Sequence, residues 1–394
     1  MMESEEWLRS FADLALRVDR QAGGPNTSGL TLIYRGPDEW REQVNQEAPR
    51  PPGRLVGDAE RLLDDPPFER SRAAYLSGQV RALRAVARRL DGAAQTLPEY
   101  VRECLGIDPE WVPESVFATA HEELDAALPP GPGALADRLA AWRAAHRLDS
   151  LDRLPELVGL AVEETRARTA RIVPLPDGEV VGCRVVSGVP FHAAGDHEGG
   201  LASTIHINRD IPFNLADLLY VVAHEGHPGH IAESLLKETH LADRPEQRVR
   251  FLLSPQGVIS EGLGLVAEEL VFPGDEAQEW LAEHVLPDAR GLGDLAAIHR
   301  AMNAMWGAWP NASLMAAEGR PQEEIRAYLS RWALLREEEL AAAMPLIAVP
   351  GGNPYLFAYY HGWRLVRAWL DGPGRRERAR RLLTEQLLPA DLTA

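Results

Sequence analysis

The chain has 394 residues, with 41 Lys+Arg against 59 Asp+Glu, a net charge of −18 with His neutral, and 45% hydrophobic residues. Charged residues make up 25% and apolar ones are spread along the whole length, which excludes a disordered or low-complexity chain and allows one large domain or two lobes. The excess of negative charge repels a phosphate backbone, and no Lys/Arg cluster offsets it, so nucleic acid is not an expected partner.

Cys104 and Cys183 are too few for a disulfide framework, and their separation is not that of a metal knuckle. A reducing compartment is expected. The start, Met1-Met2-Glu3-Ser4-Glu5-Glu6-Trp7, is acidic where a signal peptide is basic, and no apolar run approaches the roughly 20 residues a bilayer span needs. These features predict a cytoplasmic protein without a membrane span.

Up to about residue 170 the pattern is helical. Leu76, Val80, Leu83, Val86 and Leu90 recur at helical spacing, as do Leu135, Leu139 and Trp142. Ala48-Pro49-Arg50-Pro51-Pro52-Gly53 and Pro129-Pro130-Gly131-Pro132-Gly133 interrupt it, because proline lacks an amide donor and glycine adds backbone entropy. Between Arg171 and Asn208 the period changes. Residues 179–186 and 203–208 are β-branched and predict strands of one small sheet, with Ile205 and Ile207 on one face of the second. Helical patterns then return over 214–237, 259–270, 292–309, 321–342 and 355–370. The expected fold is mainly α with one small β-sheet before the site, a helical N-terminal lobe over 1–170 and a chemistry-bearing lobe over 171–394.

His224-Glu225-Gly226-His227-Pro228-Gly229-His230 places three imidazoles and a carboxylate directly after the apolar run Leu215, Leu218, Leu219 and Val222. In a chain with 12 His, such a cluster points to metal binding rather than core packing. Zinc is the default for imidazole with carboxylate, and Mn, Fe or Co accept the same donors. The usual zincin spacing sets two His at i and i+4, but position 228 is proline. On a straight helix i+3 lies about 60° from i, whereas i+6 lies about 120° away and about 9 Å along the axis, which favours His227. Pro228 and Gly229 call for a break or bulge, which brings His230 to the place of an i+4 ligand. On this ground both remain candidates.

Two His need a further protein ligand with a position left open for water. Glu261 opens the helical segment Ser260–Glu269 and is the candidate; otherwise it is a first-turn acid favoured by the helix dipole. Glu268, seven residues on, is either a support for a ligand His or an exposed glutamate. Glu225 is placed to take a proton from attacking water and pass it to a leaving nitrogen. An oxyanion donor is also required, and Pro354-Tyr355-Leu356-Phe357-Ala358-Tyr359-Tyr360-His361-Gly362 offers phenols and an imidazole. The strand Ser203–Asn208 is a candidate edge for pairing with extended substrate. His192, Asp196 and His197 read as solvated loop residues, and His299, Arg300 and Asn311 as possible cleft lining.

The segment His-Glu-x-x-Pro-Gly-His, followed by Ser260-Glu261-Gly262 and by Tyr359-x-x-Gly362, resembles a bacterial family known as domain of unknown function 885, regarded as zinc metallopeptidases of the Glu-zincin kind. The resemblance covers mostly residues 170–370. It implies a multi-helical zincin-like bundle with His224, His230 and Glu261 on zinc, Glu225 as base then acid, and Tyr359 as oxyanion or substrate donor, with Tyr360 and His361 behind it. The family often has a second His after the last one, where this chain has Ile231. The expectation is a zinc-dependent hydrolase of a peptide or small amide. Its rivals are a zinc hydrolase of a non-peptide amide or ester and an inactive metal-binding scaffold.

Overall fold

Apolar stripes punctuated by Pro and Gly fold most of this chain into helices; the computed structural model describes residues 3–23, 31–286 and 291–393. The first part holds α1 (Ser4–Ala22), β1 (Leu32–Tyr34), α2 (Asp38–Gln46), α3 (Pro52–Asp64), α4 (Arg70–Leu90) and α5 (Leu97–Leu105). Leu76, Val80, Leu83 and Val86 form the buried face of α4, while Leu90 at the end of that stripe is exposed. A capping box of Thr96 and Glu99 starts α5, and Gly106 at a φ of 65° closes it.

Next come α6 (Glu114–Ala127), α7 (Leu135–Ala145), α8 (Leu154–Thr169), β2 (Val180–Val186), β3 (Ala193–Gly199) and β4 (Ala202–Asn208). The sheet order is β2-β4-β3, with β2 parallel and β3 antiparallel to β4. β3 corrects the expectation of a loop at Asp196 and His197. Its residues lack an apolar alternation, and it is a strand because β4 offers a pairing edge.

The remainder is α9 (Leu218–Glu225), α10 (His230–His240), β5 (Val249–Phe251), α11 (Pro255–Val271), α12 (Glu276–His284), α13 (Leu295–Met305), α14 (Ala308–Ala317), α15 (Gln322–Trp332), α16 (Glu337–Ile347), α17 (Leu356–Leu370) and α18 (Arg375–Thr384). β5 pairs with β1, so a second sheet joins the one expected. The helical patterns over 214–237, 292–309 and 321–342 each divide into two helices. The fold is mainly α, and no helix among the described residues is long and apolar enough to cross a membrane.

Two apolar clusters form the interior. One gathers α1, α3, α4 and α5 with Val249, Phe251, Val258 and Phe357; the other runs from Val112 to Leu392. The helices of 114–169 therefore pack with those of the candidate site. α11 lies between the clusters and is buried from Pro255 to Glu268, with Ser254 accepting the Gly257 amide at its start. Its crossing with α17 is close because Gly262 and Gly362 meet there: a Cβ on Gly262 would lie 2.3 Å from the Gly362 carbonyl oxygen.

Candidate metal centre

The helix that carries His224 stops because its next residues cannot continue it. Pro228 has no amide to donate, the His227–Pro228 peptide is cis, and the Gly229 amide instead reaches the Ala223 carbonyl at 2.9 Å. A Cβ on Gly229 would lie 1.8 Å from the His224 carbonyl oxygen, so only glycine allows this return. α10 then begins at His230. The break turns the last imidazole of the motif back toward the first.

The two rings stand edge to face, with centroids 4.8 Å apart and planes at 89°. Glu261, from α11, faces both: its Oε2 is 3.7 Å from His224 Nε2 and its Oε1 is 3.7 Å from His230 Nε2. One ligand atom from each residue lies within 4.8 Å of the others. Tetrahedral bonds of about 2.0–2.1 Å would set ligand atoms about 3.4 Å apart, so this donor set fits a zinc-sized ion with slight closure. Glu261 Oε2 is buried without a hydrogen-bond partner, as an atom kept for a cation is. Burial pushes the Glu261 carboxyl up, but His224, His230 and the Tyr355 hydroxyl outweigh it and hold the group below its ordinary value. Burial likewise opposes protonation of His224, and the Glu225 and Glu261 carboxylates reverse the balance upward.

Each ligand is oriented by a partner. His224 lies over Gly264, where a Cβ would come within 2.6 Å of the ring. Tyr355 donates to Glu261 Oε1 at 2.6 Å. His230 Nδ1 lies 3.1 Å from Ser260 Oγ, which donates to the buried Glu233, itself paired with Lys237 at 2.7 Å. A carboxylate only accepts, so Ser260 spends its proton on Glu233 and accepts from His230 Nδ1–H. The Nε2 lone pair of His230 is thereby directed at Glu261. A further tie from α13 joins α9 and α11, two of the three ligand-bearing helices. His299 bridges Asp217, just before α9, at 3.1 Å and Glu268 of α11 at 2.5 Å. Asn303, one turn on, accepts from Tyr220 of α9 at 2.6 Å and donates to the Leu265 carbonyl of α11 at 2.8 Å.

His227 is fully buried and bonded to Glu179 at 3.0 Å, which Arg166 also pairs, so it does not join the cluster. Glu225 is buried and accepts the Gly195 amide at 2.7 Å. Several expectations need correction. Glu268 is neither exposed nor on a ligand His: it belongs to His299. The strand of 203–208 is β4, flanked on both sides, so its backbone is already paired; the edge beside the motif is β3. Because backbone groups alternate along a strand, the outward Gly195 amide places the Ala193 backbone on the outer side too. Asp196 pairs with Arg35, and His197 sits between Ser203 and Glu238. Asn311 is buried against the Val112 backbone and lines no cleft.

Tyr355, which caps the start of α17, and Tyr359, one turn on, share a face. Tyr359 Oη is 3.5 Å from Tyr355 Oη, and its ring stacks on Trp306 at 4.7 Å. Tyr360 and His361 do not stand behind it. His361 stacks on Phe357 and is held down to about 4 by burial, and Tyr360 packs by Trp363. Tyr355 was not singled out from the sequence, although its i, i+4 spacing from Tyr359 is a legible signal.

No family model and no curated protein matches this chain. Among solved structures it is similar to a "putative lipoprotein from Colwellia psychrerythraea", with a TM-score of 0.57 and 15% identity over 86% of this chain and 65% of that one. It is also similar to a "putative lipoprotein of unknown function from Shewanella oneidensis", with a TM-score of 0.51 and 11% identity over 86% of this chain and 71% of that one. The chain thus spans less than two thirds of the Colwellia protein. At these identities the likeness is one of fold.

Proposed function

We propose that this protein is a metal-dependent hydrolase of peptide or small amide substrates, with zinc the expected ion at His224, His230 and Glu261. The observation that carries this reading is the convergence of those three ligand atoms within 4.8 Å, beside a buried glutamate adjacent in sequence to one of them. A bound divalent ion would supply polarisation of the scissile carbonyl and a lower pKa for water; Mn, Fe and Co suit the same donors.

Glu225, steadied by the Gly195 amide, removes a proton from the attacking water and returns it to the leaving nitrogen. Tyr355 is committed to Glu261, which leaves the Tyr359 hydroxyl as the donor to the carbonyl oxygen as charge grows there. Extended substrate lies along the outer edge of β3, pairing with the Ala193 backbone. The resemblance to domain of unknown function 885 and its Glu-zincin architecture belongs to this reading. It is supported by the order of the three motifs and by the contact of their glycines, Gly262 and Gly362. A cytoplasmic, reducing location accords with two cysteines that are free thiols.

The test is elemental analysis of the purified protein, followed by a peptide-library digest with wild type and Glu225→Gln. About one divalent ion per chain, with turnover lost in a variant that keeps the ion, supports the proposal. A protein that takes up no ion, and whose stability a chelator leaves unchanged, overturns it. Glu225-dependent turnover of esters alone moves the reading to a non-peptide hydrolase.

A further inference from the structure

A row of aromatic rings leads away from the candidate metal centre. Tyr355, bonded to Glu261, meets Tyr359 at a centroid distance of 5.4 Å. Tyr359 stacks on Trp306 at 4.7 Å and 15°, and Trp306 meets Trp309 at 5.3 Å. Met302, one turn before Trp306 on α13, continues the same face. None of Met302, Trp306, Trp309, Tyr355 or Tyr359 is fully buried; all sit half-covered against the core.

The two most deeply buried tryptophans are treated differently. Trp7 and Trp142 donate their indole N–H to the carbonyls of Leu62 and Leu292. The indole N–H groups of Trp306 and Trp309 have no hydrogen-bond partner among the described residues. A half-open indole with an unused donor is the disposition of rings at an interface, where one end is apolar and the other wet. Here the open surface is continuous with Tyr359, the proposed carbonyl donor, so whatever lies on it lies beside the reacting bond.

We propose that the Trp309–Trp306–Tyr359 row is a substrate subsite, and that it selects peptides or amides with an aromatic or other large apolar side chain next to the scissile bond. This rests on the hydrolase reading above. Aromatic side chains favour offset or edge contacts with such rings, and glycine or a charged side chain gains nothing there. The surroundings strengthen the choice: Glu225 and Glu261 are close by, so a carboxylate side chain is disfavoured.

The experiment uses the full-length zinc-loaded protein and blocked peptides with Phe, Leu, Gly or Glu at the positions flanking the cleaved bond. A preference in kcat/KM of at least about tenfold for Phe or Leu over Gly is expected, since pockets that recognise apolar bulk discriminate by about 10–200-fold. Trp306→Ala should collapse that ratio toward one, and Trp309→Ala should reduce it. Trp111→Ala, an exposed tryptophan outside the row, should leave it intact. Cleavage without preference, or a preference that survives in Trp306→Ala, overturns the proposal.

A protein that cleaves none of the peptides removes the hydrolase reading instead. The row is then judged by tryptophan fluorescence with N-acetyl-phenylalaninamide and N-acetyl-glycinamide. Selective binding of the aromatic amide, lost in Trp306→Ala or, should that variant misfold, in Trp309→Ala, upholds the subsite. Absence of selective binding sinks it.

Discussion

The cluster formed by the first hundred residues and the cluster around His224 bury very different chemistry. Before His146, Gln79 is the one polar side chain buried among the described residues, amid Trp7, Phe11, Leu55, Leu76 and Leu83. Around the site, Glu225, His227, Glu233, Lys237, Glu261, Glu268, His299 and Asn303 are all buried. A buried charge costs several kcal/mol of desolvation unless it is paired, so an interior assembled for stability alone avoids it. The second region accepts that cost and spreads it over a connected network, in which most groups orient a ligand or hold two ligand-bearing helices together. The first region acts as support, and the second as chemistry.

The sharpest way to break this contrast is to change one member of each region and compare activity with stability. Glu225→Gln should lower turnover by about 10²–10⁴-fold, the usual worth of a general base, with metal content and unfolding midpoint unchanged. Steady-state hydrolysis, elemental analysis and thermal denaturation measure the three quantities on one preparation. Leu76→Ala, fully buried in the first cluster, should do the reverse. It should cost about 2–5 kcal/mol in urea unfolding and leave ion binding per folded molecule as it was. A loss of metal affinity in Leu76→Ala would mean that the two regions are not separable in this way.

The same division governs what was legible beforehand. Metal chemistry demands particular residue types close together, so His224, Glu225 and His230 stand out in the bare sequence, and Glu261 follows from the need for a further ligand. The choice between His227 and His230 was not legible from spacing. It depends on Glu179, far away in the chain, which takes His227 into a buried pair, and on the Gly229 return that swings His230 round. β3 is not legible in the sequence because its pairing comes from β4 rather than from its own residues. Tyr355 and Tyr359 are equivalent in the sequence pattern, one turn apart at the start of α17; only the approach of α11 through Gly262 decides which of them reaches Glu261. Glu268 and His299, each of two minds as a sequence, find their roles only in each other.

Smaller effects sharpen the picture inside the second region. Ser260→Ala removes the acceptor that keeps a proton on His230 Nδ1. The expected loss of metal affinity is about 10–100-fold, as for other groups that orient a ligand imidazole. Nitrogen NMR of the metal-free protein should show an Nδ1–H tautomer for His230 in wild type and a shift toward Nε2–H in Ser260→Ala. An unchanged tautomer in the variant would show that Ser260 serves packing alone.

The His299 tie makes a prediction about pH. Both ring nitrogens face carboxylates, and carboxylates only accept, so the ring must carry both protons. Burial pushes its pKa down, but Glu268 and Asp217 outweigh burial and raise it from 6.5 to about 10. A pKa raised on folding means that the folded state binds the proton more tightly than the unfolded one. The stabilisation is therefore complete below pH about 6.5, and it fades as pH rises until it is gone near 10. Across that window, one proton contributes a slope of up to about 1.4 kcal/mol per pH unit. Urea unfolding from pH 6 to about pH 10 should show this decline in wild type and a flatter profile in His299→Gln, where the neutral amide has no proton to lose. Parallel profiles would mean that α13 holds α9 and α11 through Asn303 and apolar packing, with His299 contributing no net charge to the tie.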